Sequence, residues 1–490
     1  MSAVGDETTR LFGEDEQNRH GGNKRNASRS LRIPGPKTRA YHRRWWVMAV
    51  FCSVGCNQSM VWNTWSPVAE SAELALGWSD GNVASAVNLS NISYLIFVIP
   101  VCMYMDTKGL RIATILGTLL VAVGAASRCF SLEYSAITST SYLCAIADGI
   151  GASVPFSGPA LLAAIWFPVH QRPLATAFAS FFNYFGVSLS FVVGPAFVPD
   201  PYYSWSAANL SDVETSANNK SDRIVTNMEE IKSGIRNLLY FYAALAVLSL
   251  GFVLVYFPAK PPTPPSITAS VNRISYKQAM MQILCNRSLW LVVVAGAMPI
   301  GIVGTWIAIL DVVVKPIGVT QIDAGWIGFW HTLIGCFSGI LIAKFADLFH
   351  RRRKVFLMIL FSGAAVFAVW FALVTNGTIP YSVAQLYAAG ILLGVCVNGT
   401  TPLFYEMCAE ASYPVAEGVT GGLFTAVNCV FGIVFLSLLS VPGIGTQWMT
   451  WAAVASVAAA VPLMCLFPER YNRSDIDMHI ASKDVDNVVF

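Results

Sequence analysis

Twelve separate apolar stretches of about 20 residues leave this chain little choice of solvent, because a run of that length is what an α-helix needs to cross the hydrocarbon of a bilayer. They fall near 45 to 67, 82 to 105, 110 to 130, 141 to 165, 174 to 197, 237 to 257, 288 to 314, 324 to 344, 355 to 375, 382 to 405, 416 to 440 and 446 to 467. A spanning segment must satisfy its own backbone, so each run is expected to be helical and the chain an all-α membrane protein with twelve transmembrane helices. With 55% hydrophobic and only 12% charged residues, a soluble domain is excluded. The lipid bilayer is therefore the first expected partner, and the net charge of +3 reflects topology, with no nucleic-acid partner implied.

Two polar turns stand in matching places of the two halves. Asp106, Gly109 and Arg111 follow the second span, while Asp347, Arg351 and Arg352 follow the eighth. Charged turns repeated at matching places point to an internally duplicated transporter, in which the turns act as clasps that hold neighbouring helices in one conformation and release them in another. The expected organisation is a disordered cytosolic tail over 1–44, a first six-helix bundle over 45–257, a cytosolic central loop over 258–287, a second six-helix bundle over 288–467 and a cytosolic tail over 468–490. The central loop opens with a proline-rich stretch from Pro258 to Pro265 and reads as a hinge between the bundles.

Orientation follows from Lys and Arg, which insertion keeps on the cytosolic side. If the termini are cytosolic, 25 of the 31 basic residues lie on that side, leaving Arg128, Lys220, Arg223, Lys232, Arg236 and Lys315 on the other. The leading tail has no apolar core before a cleavage site and so does not read as a signal peptide. Within it, Glu7, Leu11 and Phe12 resemble an acidic dileucine sorting signal, which points to endosomes or lysosomes and to adaptor proteins as partners. Asn209, Asn219 and Asn376 are the glycosylation acceptors that this topology exposes to the lumen.

An ionisable side chain inside a bilayer costs about 2.5 kcal/mol or more on insertion scales, so the few present mark function or pairing. Asp148 lies in the fourth run, Asp311 in the seventh, His331 in the eighth and Glu406 at the end of the tenth. All four are candidates for proton coupling, with His331 suited to sensing an acidic lumen. Asp148 and His331 fit helix-to-helix hydrogen bonding equally well. Counting about 1.5 Å per residue, Trp62, Trp65, Asp148, Asp311 and His331 all fall in the outer half of the bilayer. Tryptophan faces attract cations and stack on heteroaromatic rings, so Trp62, Asn63, Trp65, Trp330 and Asn398 are the candidate substrate-binding residues. Trp65 and Trp326 fit an interfacial belt as well. Three sets of helix breakers are expected to interrupt spans along the path: Pro155, Gly158 and Pro159; Pro299, Gly301 and Gly304; and Asn398, Gly399, Thr400 and Pro402. Eleven cysteines show neither CxxC pairs nor metal-like spacing with His. The chain has no P-loop and no nucleophile and base constellation outside the membrane. It is expected to be neither an ATP-driven pump nor an enzyme, and to need no cofactor or metal.

The turn motifs resemble the loop motif of the major facilitator superfamily, with Thr107 standing where an Arg is usual. That resemblance implies the fold of two six-helix bundles. More narrowly, Trp62, Asn63, Thr64, Trp65 and Pro67, the run from Asp323 to Trp330, and Glu417 with Gly418 resemble solute carrier family 49, over about residues 41 to 472. The resemblance implies a multi-pass lysosomal carrier related to the feline leukaemia virus subgroup C receptor proteins, which are associated with choline and haem. It also implies proton-driven movement of pyridoxine, a vitamin B6 form, with Trp62 matching an aromatic pocket residue of the choline-handling relatives. A facilitative choline or haem carrier without proton coupling, and a non-transporting membrane receptor, remain the alternatives.

Overall fold

The computed structural model describes residues 41–168, 171–205, 223–225, 227–263, 276–348, 352–380, 382–412, 415, 417–439 and 445–468. Its helices are α1 (Arg43–Trp62), α2 (Ala69–Leu76), α3 (Asp80–Lys108), α4 (Leu110–Ser127), α5 (Tyr134–Ser157), α6 (Pro159–Trp166), α7 (Arg172–Phe197) and α8 (Met228–Val255) in the first half. The second half holds α9 (Tyr276–Cys285), α10 (Arg287–Ala308), α11 (Leu310–Val314), α12 (Gln321–Leu348), α13 (Arg353–Thr375), α14 (Val383–Ser412), α15 (Glu417–Leu439) and α16 (Gln447–Leu466). Ten of these are individually long and apolar enough to cross a membrane, and α5 with α6 forms an eleventh span bent by 44°. The remaining long helix, α1, carries Asn57, Gln58 and Ser59 in mid-course, all buried in the protein. Its polarity follows from facing neighbours instead of lipid.

Packing repeats between the halves. In the first, α1 lies on α7 and α3 on α5; in the second, α10 lies on α15 and α12 on α14. Each of the four pairs rests on a glycine. A Cβ at Gly186 would collide with the Cys56 carbonyl, at Gly149 with that of Ser90, at Gly301 with that of Asn428, and at Gly394 with that of His331. Between lipid-solvated helices there is no hydrophobic drive to associate, so close backbone approach over small residues supplies the contact. The halves then meet through α7 against α12 and α3 against α15. At Gly109, between α3 and α4, φ is 91°, a conformation that glycine enters without strain.

Several expectations are corrected. The helix breakers at Pro299 and Pro402 do not interrupt their spans: α10 and α14 run through them, as membrane helices do when neighbours re-satisfy the freed carbonyl. The seventh span instead stops at Ala308, so Asp311 lies beyond it in the separate helix α11. The breakers at Gly158 and Pro159 do divide the fourth span. The sixth begins at Met228, nine residues before its expected start, because Ile231, Ile235 and Leu238 bury one stripe of an otherwise polar first stretch. The loop before it contributes an antiparallel ribbon pairing β1 (Tyr203–Trp205) with β2 (Arg223–Val225). The central loop contains helix α9, with Met281 and Leu284 exposed.

Candidate transport site

The two halves are joined at the end reached by the odd-numbered spans, called the outer end below. Helix α2 offers its first-turn N–H groups, which have no partner inside their own helix. Glu70 N donates to Asp311 Oδ2 at 3.1 Å, and Ser71 N donates to Gln321 Oε1 at 3.4 Å. Gln321 Nε2 donates in turn to the Val198 carbonyl at 3.4 Å, and Lys315 pairs with Glu73. Asp311 is only 4% exposed. Burial lifts its carboxyl to about 7, against the stabilising pull of the Glu70 N–H; the Glu70 and Asp200 carboxylates raise it further and Lys315 lowers it. Ser188 Oγ donates to the Phe329 carbonyl at 3.0 Å and Asn88 Nδ2 to Ser437 Oγ at 3.3 Å, so both inter-half seams carry a hydrogen bond.

Inside the first half, Asp148 sits on α5 in the bilayer. Its Oδ2 accepts from Gln58 Nε2 at 3.1 Å and from Ser90 Oγ at 3.2 Å, so three helices converge on one carboxylate. Trp62, half-buried at the end of α1, lines a small cavity with Asp148 and packs against the apolar core of the second half. Trp65 lines the same cavity and rests against Trp78, centroids 4.7 Å apart. Asn63 is fully buried and turned towards α7, where its Nδ2 donates to Ser190 Oγ at 2.8 Å.

The second half is plainer. His331 on α12 is buried, and its Nδ1 lies 2.8 Å from the Gly390 carbonyl on α14. Asn398 is half-buried where α14 crosses α12 near Gly335. Trp330 is 37% exposed and stacks with Trp326 one turn before it, apart from the Asp148 group. Glu406 forms an ion pair with Arg353 at 3.0 Å between α14 and α13. Trp62, Trp65 and Asp148 are therefore brought together, whereas His331, Trp330 and Glu406 occupy separate places.

Of the clasp residues, Asp106 and Arg111 are exposed on either side of Gly109, Asp347 is in the last turn of α12, and Arg352 is exposed just before α13. Asn376 is exposed at the outer end of α13. Glu7, Leu11, Phe12, Asn209, Asn219 and Arg351 lie outside the described residues. The residue that sequence reasoning missed is Arg128. Sited just past α4, it reads as a solvated charge, yet it is 2% exposed and lines the Asp148 cavity.

Two pseudo-equivalent bundles joined across one end, with a buried carboxylate beside tryptophans, define the architecture of a membrane transporter. The Major Facilitator Superfamily family model matches residues 47–437. Solute carrier family 49 member 4 homolog of Xenopus laevis is 35% identical over 91% of this chain and 96% of its own. The Choline/ethanolamine transporter flvcr2a of Danio rerio is 23% identical over 81% and 80% of the two chains. A bacterial homolog of the human lysosomal transporter Spinster, solved inward-facing and unoccupied, superposes with a TM-score of 0.64 at 13% identity, covering 87% of this chain and 97% of that one. The chain belongs to the major facilitator superfamily and, within it, to solute carrier family 49.

Proposed function

We propose that this transporter moves a small organic solute, pyridoxine first among candidates, across the lysosomal membrane together with a proton, by alternating access. The observation that carries this reading is Asp311: a buried carboxyl titrating near neutrality is itself part of the closure between the halves. An open outer end would solvate the group and return it towards an ordinary value of about 4. A proton from an acidic lumen therefore favours the closed outer end, linking proton entry to the inward-facing state. Trp62 and Asp148 supply the aromatic face and the fixed polar group beside the path. Sorting through Glu7, Leu11 and Phe12, with cytosolic termini and lumenal glycans, belongs to the same proposal.

The test is uptake of labelled pyridoxine by cells that carry the chain at the plasma membrane through Leu11→Ala and Phe12→Ala, at external pH of about 5.5 and about 7.5. Saturable uptake that is stronger at the lower pH and lost in Trp62→Ala supports it. A second reading, a facilitative carrier for a quaternary ammonium such as choline, draws on the choline-transporting relative and on the attraction of a tryptophan face for cations. Choline flux indifferent to the pH gradient would favour that reading.

A further inference from the structure

One cavity near the outer end gathers five buried polar atoms that lack a hydrogen-bond partner: Arg128 Nε and Nη2, Trp65 Nε1, Ser141 Oγ and Asp148 Oδ1. Trp65 and Arg128 lie just past the ends of α1 and α4, Ser141 and Asp148 lie two turns apart on α5, and all four residues are 1 to 4% exposed. Buried polar atoms are almost always satisfied, and each unpaired one is costly, so five without a partner among the described residues, on four residues that line a single space, mark a built site.

The donor set specifies what fits. Three N–H groups require an acceptor, which excludes an ammonium head. The free Asp148 oxygen requires a donor, which excludes a carboxylate or halide. Ser141 can serve in either sense. An oxygen that both accepts and donates suits this mixed set: an alcohol can accept from two of these donors, Ser141 among them, and donate to Asp148, and a water can make one bond more, so a neutral hydroxyl oxygen is what fits. The space is of water size, and Trp62 and Val87, which line it, also pack on the second half. We propose that this cavity is a hydroxyl-oxygen site that links Arg128 to Asp148, filled by water or by the alcohol group of the solute reaching past Trp62. In either case Arg128 is the counter-charge that fixes Asp148 in place. The site stands on its own geometry; only the solute source rests on the transport reading above.

The experiment follows thermal unfolding of the purified full-length protein, with two pairs of probes that differ in one hydroxyl: pyridoxine against 4-deoxypyridoxine, and choline against ethyltrimethylammonium. Beside the original chain stand Ser141→Ala, Arg128→Gln, Asp148→Asn and the double variant of the last two. If the solute fills the site, the hydroxyl-bearing member of a pair binds at least about tenfold more tightly, and Ser141→Ala removes most of that preference. If water fills it, neither pair shows a preference, while the double variant loses less stability than the sum of the two single losses, because each single change strands a buried charge. A hydroxyl preference untouched by Ser141→Ala would overturn the assignment, since the alcohol is then read elsewhere. So would the absence of any preference combined with additive losses at Arg128 and Asp148. Should neither vitamin nor choline bind, the transport reading fails while the Arg128 and Asp148 coupling still decides the site. Should the charge variants fail to fold, Ser141→Ala with the probe pairs decides it.

Discussion

Asp148 and His331 occupy the same kind of place in opposite halves, each buried at the seam of a tightly packed helix pair, and they are supported in different ways. Asp148 draws on side chains from two other helices and shares a cavity with Arg128. Among the described residues His331 has one side-chain hydrogen bond, to a backbone carbonyl. The helix pairing of the two halves is duplicated, each pair closing over a glycine; the polar chemistry is not. The scaffold is thus shared while the buried polar groups around Asp148 gather on the α1, α3, α4 and α5 side.

The sharpest way to break that comparison is a paired loss of charge. Asp148→Asn is expected to cut uptake by about 100-fold, in line with removing one partner of a buried charged network, while His331→Gln lowers it only a few-fold. Equal losses in the uptake assay would show that both halves carry the chemistry. The next test addresses what the halves share. Gly149→Val and Gly394→Val each force a side chain into a neighbouring carbonyl, and each is expected to cost about 1–3 kcal/mol, read as similar drops in the unfolding midpoint.

A smaller effect is expected at the outer end. Asp311 has its pKa raised by burial in the closed state, so the closed state gains stability as pH falls through about 7, and the gain is complete below the ordinary value of about 4. Asp311→Asn mimics the protonated form and is expected to leave uptake flat across that window; full pH dependence in the variant would remove Asp311 from coupling. The smallest effect belongs to Glu73→Gln. Its pair with Lys315 is partly exposed, with side chains 42% and 22% accessible, so its loss is expected to cost under about 1 kcal/mol in a double-mutant cycle and to fade at high salt.

Much of this architecture is legible in the sequence. Apolar runs of the right length announce the spans because the bilayer makes each one a nearly independent unit, and the paired turns at Asp106 and Asp347 announce duplication. What escapes the sequence is whatever depends on a partner far along the chain. Arg128, at the mouth of α4, looks solvated until α1 and α5 close over it. Asp311 looks like a span residue because the apolar run continues past the break at Ile309. The site residues divide in the same way: Trp62, Trp65 and Asp148 line one cavity because packed spans carry them, whereas Trp330 is partly exposed and stacks on Trp326. Asn63 has a buried side-chain partner in α7 that sequence spacing does not reveal.

The closure at the outer end is built from unlike materials on its two sides. From α2 come backbone amides, Glu70 N and Ser71 N; from the other half come side chains, Asp311 and Gln321. Amides persist through every substitution except proline, so mutational drift in α2 leaves its grip in place. The opposite side is erased by a single codon change at position 311 or 321. In a mutational scan under selection for uptake, tolerance across this interface should therefore be lopsided, with most replacements but proline accepted at the half-buried position 70, small ones at the buried position 71, and few where they dock.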